Sequence, residues 1–205
     1  AAESIRFADC LPLVRLRAQA MQEAVPAGQG AMAALLGLDD AAAIEACAEA
    51  SQGQTVEAVN FNAPGQVVIA GHADAVGRAV DAAKARGAKR AVILPVSAPF
   101  HSSLLAPAAA RLREALASLD VKVPRIPVVH NVDAQLRATP DELRDALARQ
   151  ADHPVRWVDC VRALAASGVS HVLECGPGKV LAPLAKRISP DLQGLALADR
   201  AGLDQ

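Results

Sequence analysis

GAMAALLGLDDAAAIEACAEASQGQTVEAVNFNAPGQVVIAGHADAVGRAVDAAKARGAKRAVILPVS, residues 30–97, decides the fold. Ala31 to Leu36 is a short apolar run that reads as a strand. Asp39 or Asp40 is placed to cap a helix running to about Ser51. Thr55 to Phe61 and Gln66 to Ala70 are β-rich, and Asn62-Ala63-Pro64-Gly65 between them is a turn cluster. Ala73 to Arg86 reads as a second helix closed by Gly87, and Ala91 to Val96 as a continuous apolar strand. The order is β-α-β-β-α-β, which predicts a ferredoxin-like four-stranded sheet with two helices on one face.

Outward from this block the pattern becomes α/β. Before it, Cys10 to Val25 reads as a helix, with Leu13, Val14, Ala18 and Met21 at helical spacing and Pro26, Gly28 and Gly30 ending it. After it, helices are expected over Ser102 to Leu119 and from Thr139-Pro140-Asp141-Glu142 to about Gln150. The second start has a capping threonine, proline first and a glutamate able to reach back. Further helices are expected over Trp157 to Ala166 and from Gly176-Pro177-Gly178 to Ile188. Ile126 to His130, Ser170 to Cys175 and Leu195 to Ala198 read as strands. The expected organisation is a small α+β unit, residues 30–98, inserted between two pieces of a larger α/β layer, 1–29 and 99–205.

Composition narrows the function classes. The chain has 205 residues, a net charge of −1 and a hydrophobic fraction of 52%, enough for a substantial core. Charges of both signs are spread along it, with no basic stripe for nucleic acid. Aromatic residues make up only 2%, so no stacking platform for bases is available. Cys10, Cys47, Cys160 and Cys175 lie far apart with no C-x-x-C pair, which fits reduced, cytoplasmic thiols rather than a disulfide scaffold or a zinc site. No apolar run reaches membrane-spanning length.

Arg17 has Leu13, Val14, Ala20 and Met21 as its helical neighbours, which puts it on the apolar face. A buried guanidinium needs an anion, either a structural Asp or Glu or the carboxylate of a ligand. His101 follows a strand and precedes a helix, where α/β sheets bind ligands, and imidazole suits a general base. A helix-start hydrogen bonder is the alternative. His130 also ends an expected strand and carries a weaker form of the same argument. His72, His153 and His171 carry no motif. No serine sits in a G-x-S-x-G elbow, and Ser102 and Ser103 are too near His101 in sequence to be its partner. The G-x-G-x-x-A run at 28–33 precedes a strand rather than a helix, which excludes a dinucleotide site. Gly176-Pro177-Gly178-Lys179 is read as a tight turn in preference to an anion cradle.

Taken together, several runs resemble the malonyl-CoA:acyl carrier protein transacylases of bacterial fatty acid synthesis. They are Leu16 to Pro26, Gly30 to Ala34 with Gly37-Leu38, Val59-Asn60-Phe61-Asn62-Ala63-Pro64-Gly65-Gln66 and on to Gly71, Pro95 to Ser102, Asn131-Val132-Asp133, Arg149-Gln150, Pro154 to Trp157 and Glu174 to Leu181. The resemblance implies an α/β-hydrolase-like large subdomain, incomplete here, with an inserted ferredoxin-like small subdomain. It implies malonyl transfer through a serine acyl-enzyme to the phosphopantetheine thiol of the carrier. His101 would be the general base, oriented by the main-chain carbonyl of Gln150. Arg17 would hold the malonyl carboxylate, with Met21, Asn60, Asn62 and Phe100 also on the substrate. The bulk of Phe100 is expected to disfavour an α-methyl branch.

The family's elbow serine lies upstream of the Arg17 helix, so the chain as given is expected to lack it and to be catalytically incomplete. Implied partners are malonyl-CoA and acyl carrier protein, with no metal or redox cofactor, no nucleic acid and no membrane. The full-length protein is expected to be a monomer. Lys84, Arg86, Lys89 and Arg90 are candidates for a basic rim facing an acidic carrier, or a solvated helix end. The alternative function is a non-catalytic module that binds the acyl group or the carrier and keeps the carboxylate pocket.

Overall fold

The computed structural model describes residues 1–198. Residues 199–205, the end of the third expected segment, lie outside the described residues. Helix α1 spans Phe7–Glu23, followed by strand β1 Gly30–Leu36, helix α2 Asp40–Ser51 and the hairpin β2 Val56–Ala63, β3 Gln66–His72. Helix α3 Ala73–Ala85 and strand β4 Arg90–Ile93 complete the block. The sheet order is β2-β3-β1-β4 with every neighbouring pair antiparallel. It is the ferredoxin-like arrangement expected from the alternation of patterns.

Local chemistry explains the boundaries. Asp39 accepts from the Ala42 N–H at 2.8 Å and starts α2. Gly65, at φ 70°, turns the hairpin in a conformation that costs an L side chain. Strand β4 stops earlier than the apolar run suggested. The Leu94 N–H still reaches the Met32 carbonyl, but Pro95 has no N–H, and Val96 folds back onto the Leu94 carbonyl at 2.9 Å.

The two faces of the sheet do different jobs. Leu35, Ala33, Val67, Ile69, Val56 and Ala58 pack under α2 and α3. The helices present mostly alanine there, which lets them lie close to the strands. The other face carries Met32, Val59, Val68 and Ala70, with Leu94 and Phe100 against it. A bulge in β2 decides who joins that face. Ala58 pairs with Ile69 and Asn60 with Val68, so Val59 is an extra residue. The insertion puts Asn60 and Asn62 on the same side as Glu57 and Val59, where strict alternation would have turned them toward the helices.

The rest of the chain wraps this second face. A 3₁₀ turn Ser103–Leu105 leads into α4 Ala106–Ala117, followed by α5 Pro140–Arg149, α6 Trp157–Ala166, β5 His171–Cys175, α7 Leu181–Ile188 and β6 Gln193–Leu197. Strands β5 and β6 pair in parallel, with α7 as their crossover. Met21, Leu105, Leu112, Leu116 and Ala148 form the core that joins α1, α4 and α5. The expected capping box is present: Thr139 accepts from the Glu142 N–H, and the Glu142 carboxylate accepts from the Thr139 N–H.

One expected strand is not there. Residues 126–130 form no ladder, only a single bridge from His130 to Gln135. Ile126 is exposed. A β-rich run becomes a strand only beside another strand, and among the described residues none lies next to it. Gly176-Pro177-Gly178 is a turn, as preferred. The N–H groups that open α7, from Val180, Leu181 and Ala182, donate to the Glu174 carboxylate at 2.9–3.0 Å.

Candidate active site

Helix α1, strands β1, β2 and β3 and the segment after β4 converge on one cleft of about 510 Å³. Helix α1 contributes Arg17, Met21 and Gln22. The second face of the sheet contributes Met32, Asn60, Asn62 and Val68. The segment after β4 contributes Leu94, Val96, Phe100 and His101. Arg17 is half-buried rather than fully enclosed, while Met21 one turn on is buried. Gly30 makes the close approach possible, since a Cβ there would fall 2.4 Å from the Pro99 ring. Pro99 therefore seats directly on the start of β1, two residues before His101.

The His101 backbone has φ 65°, the left-handed region. That conformation costs an L residue about 1 kcal/mol or more, so the neighbours must hold it. Three contacts do so. Ser102 is fully buried and donates its hydroxyl to the Pro99 carbonyl at 2.7 Å. Ser103 is tied by its N–H and hydroxyl to Glu57. The His101 Nδ1 lies 2.9 Å from the Gln150 carbonyl. A carbonyl only accepts, so Nδ1 carries the proton and Nε2 keeps the free lone pair of a base.

Gln150 caps the end of α5. Its position is fixed on both sides. Arg149 donates to Asp145 and Asp133, and Asp133 is also bonded to Arg137. A few residues on, the chain pairs with β2, through Val155 N–H to the Val59 carbonyl at 2.8 Å and Phe61 N–H to the Val155 carbonyl at 3.0 Å. Gln150 thus reaches the cleft with two groups. Its carbonyl takes His101, and its side-chain Oε1 accepts from Arg17 Nη2 at 2.5 Å.

This pairing bears on the structural reading of Arg17. Its observed partner is a neutral amide, not an Asp or Glu. Among the described residues no carboxylate lines the cleft, and Arg17 is its one fixed cation. Burial lowers the guanidinium pKa from its ordinary value. The cleft is therefore electropositive and lacks an internal counter-ion, which suits an anionic guest held by a planar fork. Burial also lowers the His101 pKa. The Gln150 carbonyl works against that shift and the Arg17 charge adds to it. The ring is neutral at pH 7, the form a general base needs.

Of the seven residues that the resemblance implied, Arg17, Met21, Asn60, Asn62, Phe100 and His101 line this cleft, and Gln150 is bonded to two of them. His130 does not. It lines a separate groove of about 610 Å³ beyond Arg17 and Gln150, and its ring is buried there. His72 accepts from the Thr55 N–H, and His153 and His171 bond to their sequence neighbours. Neither the side-chain role of Gln150 nor that of Glu57 was legible in the sequence. Both partners are distant in the chain, and no local pattern points either side chain at its partner.

Ser102 and Ser103 are spoken for by Pro99 and Glu57, so neither presents its hydroxyl to His101 Nε2. No residue of the chain sits in a G-x-S-x-G context.

Comparison with known proteins gives one consistent result. The family described as "Acyl transferase domain" matches residues 1–192. The malonyl CoA-acyl carrier protein transacylase of Escherichia coli K12 is 53% identical over 199 residues, which cover 97% of this chain and 64% of that protein. The chain thus spans about 64% of the length of this relative. Among solved structures, the acyl-carrier-protein S-malonyltransferase of Burkholderia pseudomallei superposes with a TM-score of 0.96 at 60% identity, covering 99% of this chain and 66% of that one. A malonyl-transacylase solved in complex with a type II polyketide acyl-carrier protein superposes at 0.97 and 48% identity, with 99% and 66% coverage.

Proposed function

The chain belongs to the acyl transferase domain family, and from that premise we propose that the whole protein moves a malonyl group from malonyl-CoA to the phosphopantetheine thiol of an acyl carrier protein, in fatty acid or polyketide synthesis. The observation that carries this reading is the cleft itself. It holds a counter-ion-free guanidinium beside a neutral, carbonyl-oriented imidazole.

In this reading a serine hydroxyl attacks the thioester carbonyl while its proton passes to His101 Nε2. The C–S bond breaks, and the CoA sulfur leaves with that proton. The second half runs in reverse, with the carrier thiol giving its proton to Nε2 and accepting the acyl group. The serine is proposed to come from the part of the relatives' length that this chain does not span. A carbonyl in place of an acid behind His101 fixes the tautomer without putting a second negative charge near the malonyl carboxylate. No cofactor enters these steps.

Selectivity follows from Arg17. The malonyl carboxylate can take its fork bidentately, whereas an acetyl group offers it nothing. Met21, Asn60, Asn62 and Phe100 shape the space around the acyl chain, and the Phe100 ring crowds an α-methyl substituent. The separate cores beneath α2 and α3 and between α1, α4 and α5 support a division into residues 30–98 and the flanking segments. A pure binding module would have no use for the tautomer-fixing contact at His101, which favours the enzyme.

The test uses the full-length protein. Malonyl-CoA should leave one malonyl group on a serine, detected by intact-protein mass spectrometry, and His101→Ala should abolish it. An unmodified wild-type protein that still binds malonyl-CoA would select the binding module. Arg17→Ala should cut the malonyl-over-acetyl preference at least about tenfold. Phe100→Ser should raise the methylmalonyl share of turnover, and an unchanged ratio removes that role.

A further inference from the structure

Glu57 lies outside the cleft lining, yet it holds the turn that carries the proposed base. Its Oε2 accepts from the Ser103 N–H at 2.7 Å and its Oε1 from the Ser103 hydroxyl at 2.8 Å. Ser103 opens the 3₁₀ turn that leads into α4 and stands two residues after His101. The carboxylate thus sits on the unpaired N–H end of a helical segment, where negative charge is favoured. Glu57 itself belongs to β2, upstream of the Val59 bulge, on the same face as Asn60 and Asn62. One side chain therefore ties the strand bearing the cleft's two asparagines to the segment bearing His101.

The tie matters because of the backbone at His101. A left-handed histidine relaxes unless its surroundings over-determine it. Upstream, Pro99 is seated on Gly30, and the Ser102 hydroxyl closes back on the Pro99 carbonyl. Both contacts lie within the turn or before it. The ring contact to Gln150 fixes the imidazole but not the chain that follows. Glu57 adds a hydrogen-bonded tie on the downstream side, across 46 residues of sequence, immediately before the apolar anchor of Leu105 in the α1–α4–α5 core.

We propose that Glu57 is a positioning residue for transfer: through Ser103 it locks the strained His101 turn against β2, so that Nε2 is presented to the serine. The proposal rests on the reading of His101 as the base.

Steady-state kinetics, melting temperature and amide exchange over residues 100–105, all on the full-length protein, test it. Glu57→Ala should lower kcat about fivefold, the loss of roughly one hydrogen bond's worth of positioning, with KM for malonyl-CoA within about twofold. Exchange at residues 100–105 should rise in the same variant. Glu57→Gln keeps an acceptor for the N–H and a donor for the Ser103 hydroxyl, so it should restore both kcat and protection. Ser103→Ala should fall between, and combining it with Glu57→Ala should cost less than the sum.

A Glu57→Ala protein with a lower melting temperature but unchanged kcat and unchanged exchange at the turn overturns the proposal. So does a Glu57→Gln protein as impaired as Glu57→Ala. His101→Ala separates the two claims, because activity surviving that change removes the base assignment whatever Glu57 does. Exchange at the turn still decides whether Glu57 holds it.

Discussion

Burial lowers the His101 pKa, and in the proposed mechanism that shapes the acid side of the pH profile. The kcat/KM of the full-length enzyme should fall with an apparent pKa below 6.5, the ordinary imidazole value. Removing the Arg17 charge by Arg17→Gln should move that limb upward, since Arg17 is one of the causes that lower it. A limb that stays put would remove the coupling. The same shift has a stability sign. A histidine buried neutral stabilises the fold above its unfolded pKa, and that contribution is lost as pH falls toward the lowered folded value. Gln150 allows a second residue-scale prediction. Its Oε1 is a neutral partner that an incoming carboxylate can displace from Arg17. Gln150→Glu would pair with Arg17 permanently, so the malonyl-over-acetyl preference should drop about tenfold in competition assays. The main-chain carbonyl to His101 would remain, so turnover of acetyl-CoA should persist.

Helix α5 is the element that delivers Gln150, and its start is fixed by the capping box at Thr139 and Glu142. Thr139→Ala should cost about 1 kcal/mol in chemical denaturation, because one N–H loses its acceptor. Helix α7 depends on a carboxylate in the same way. The N–H groups of Ala182, Val180 and Leu181 hold the Glu174 carboxyl below its ordinary range, against an opposing effect of desolvation. A lowered carboxyl contributes stability above its unfolded pKa that is lost as pH falls through the folded one. Glu174→Gln should therefore flatten the acid limb of melting temperature against pH, and an unchanged limb would show the cap to be energetically silent. The elements that were legible in the sequence are those whose signals are local. The α5 capping box and the Asp39 cap sit within four residues of the groups they satisfy. Residues 126–130 had the composition of a strand without the neighbour that makes one.

For the molecule as a whole, the basic residues near the end of α3 are the candidates for docking an acidic carrier protein, if the proposed function holds. Lys84 and Arg86 already pair with Asp81 and Glu49, which reduces their long-range field. Reversing Lys89 and Arg90 to glutamate should weaken carrier binding and flatten its salt dependence, with malonyl-CoA kinetics unchanged. Equal affinity and salt slope in the variant would place docking elsewhere. The sequence by itself determined the alternation of strands and helices in residues 30–97, hence the ferredoxin-like sheet, because period-2 and helical patterns and caps are properties of neighbouring residues. It also singled out Arg17 and His101, each an ionisable residue in a telling local setting. Only the tertiary structure decided that Arg17 meets a neutral glutamine 133 residues away, that a one-residue bulge turns Asn60 and Asn62 into the cleft, and that Glu57 braces the strained His101 turn. These are contacts between elements, and their geometry depends on how close the backbones come once the cores are packed. No local pattern encodes that distance.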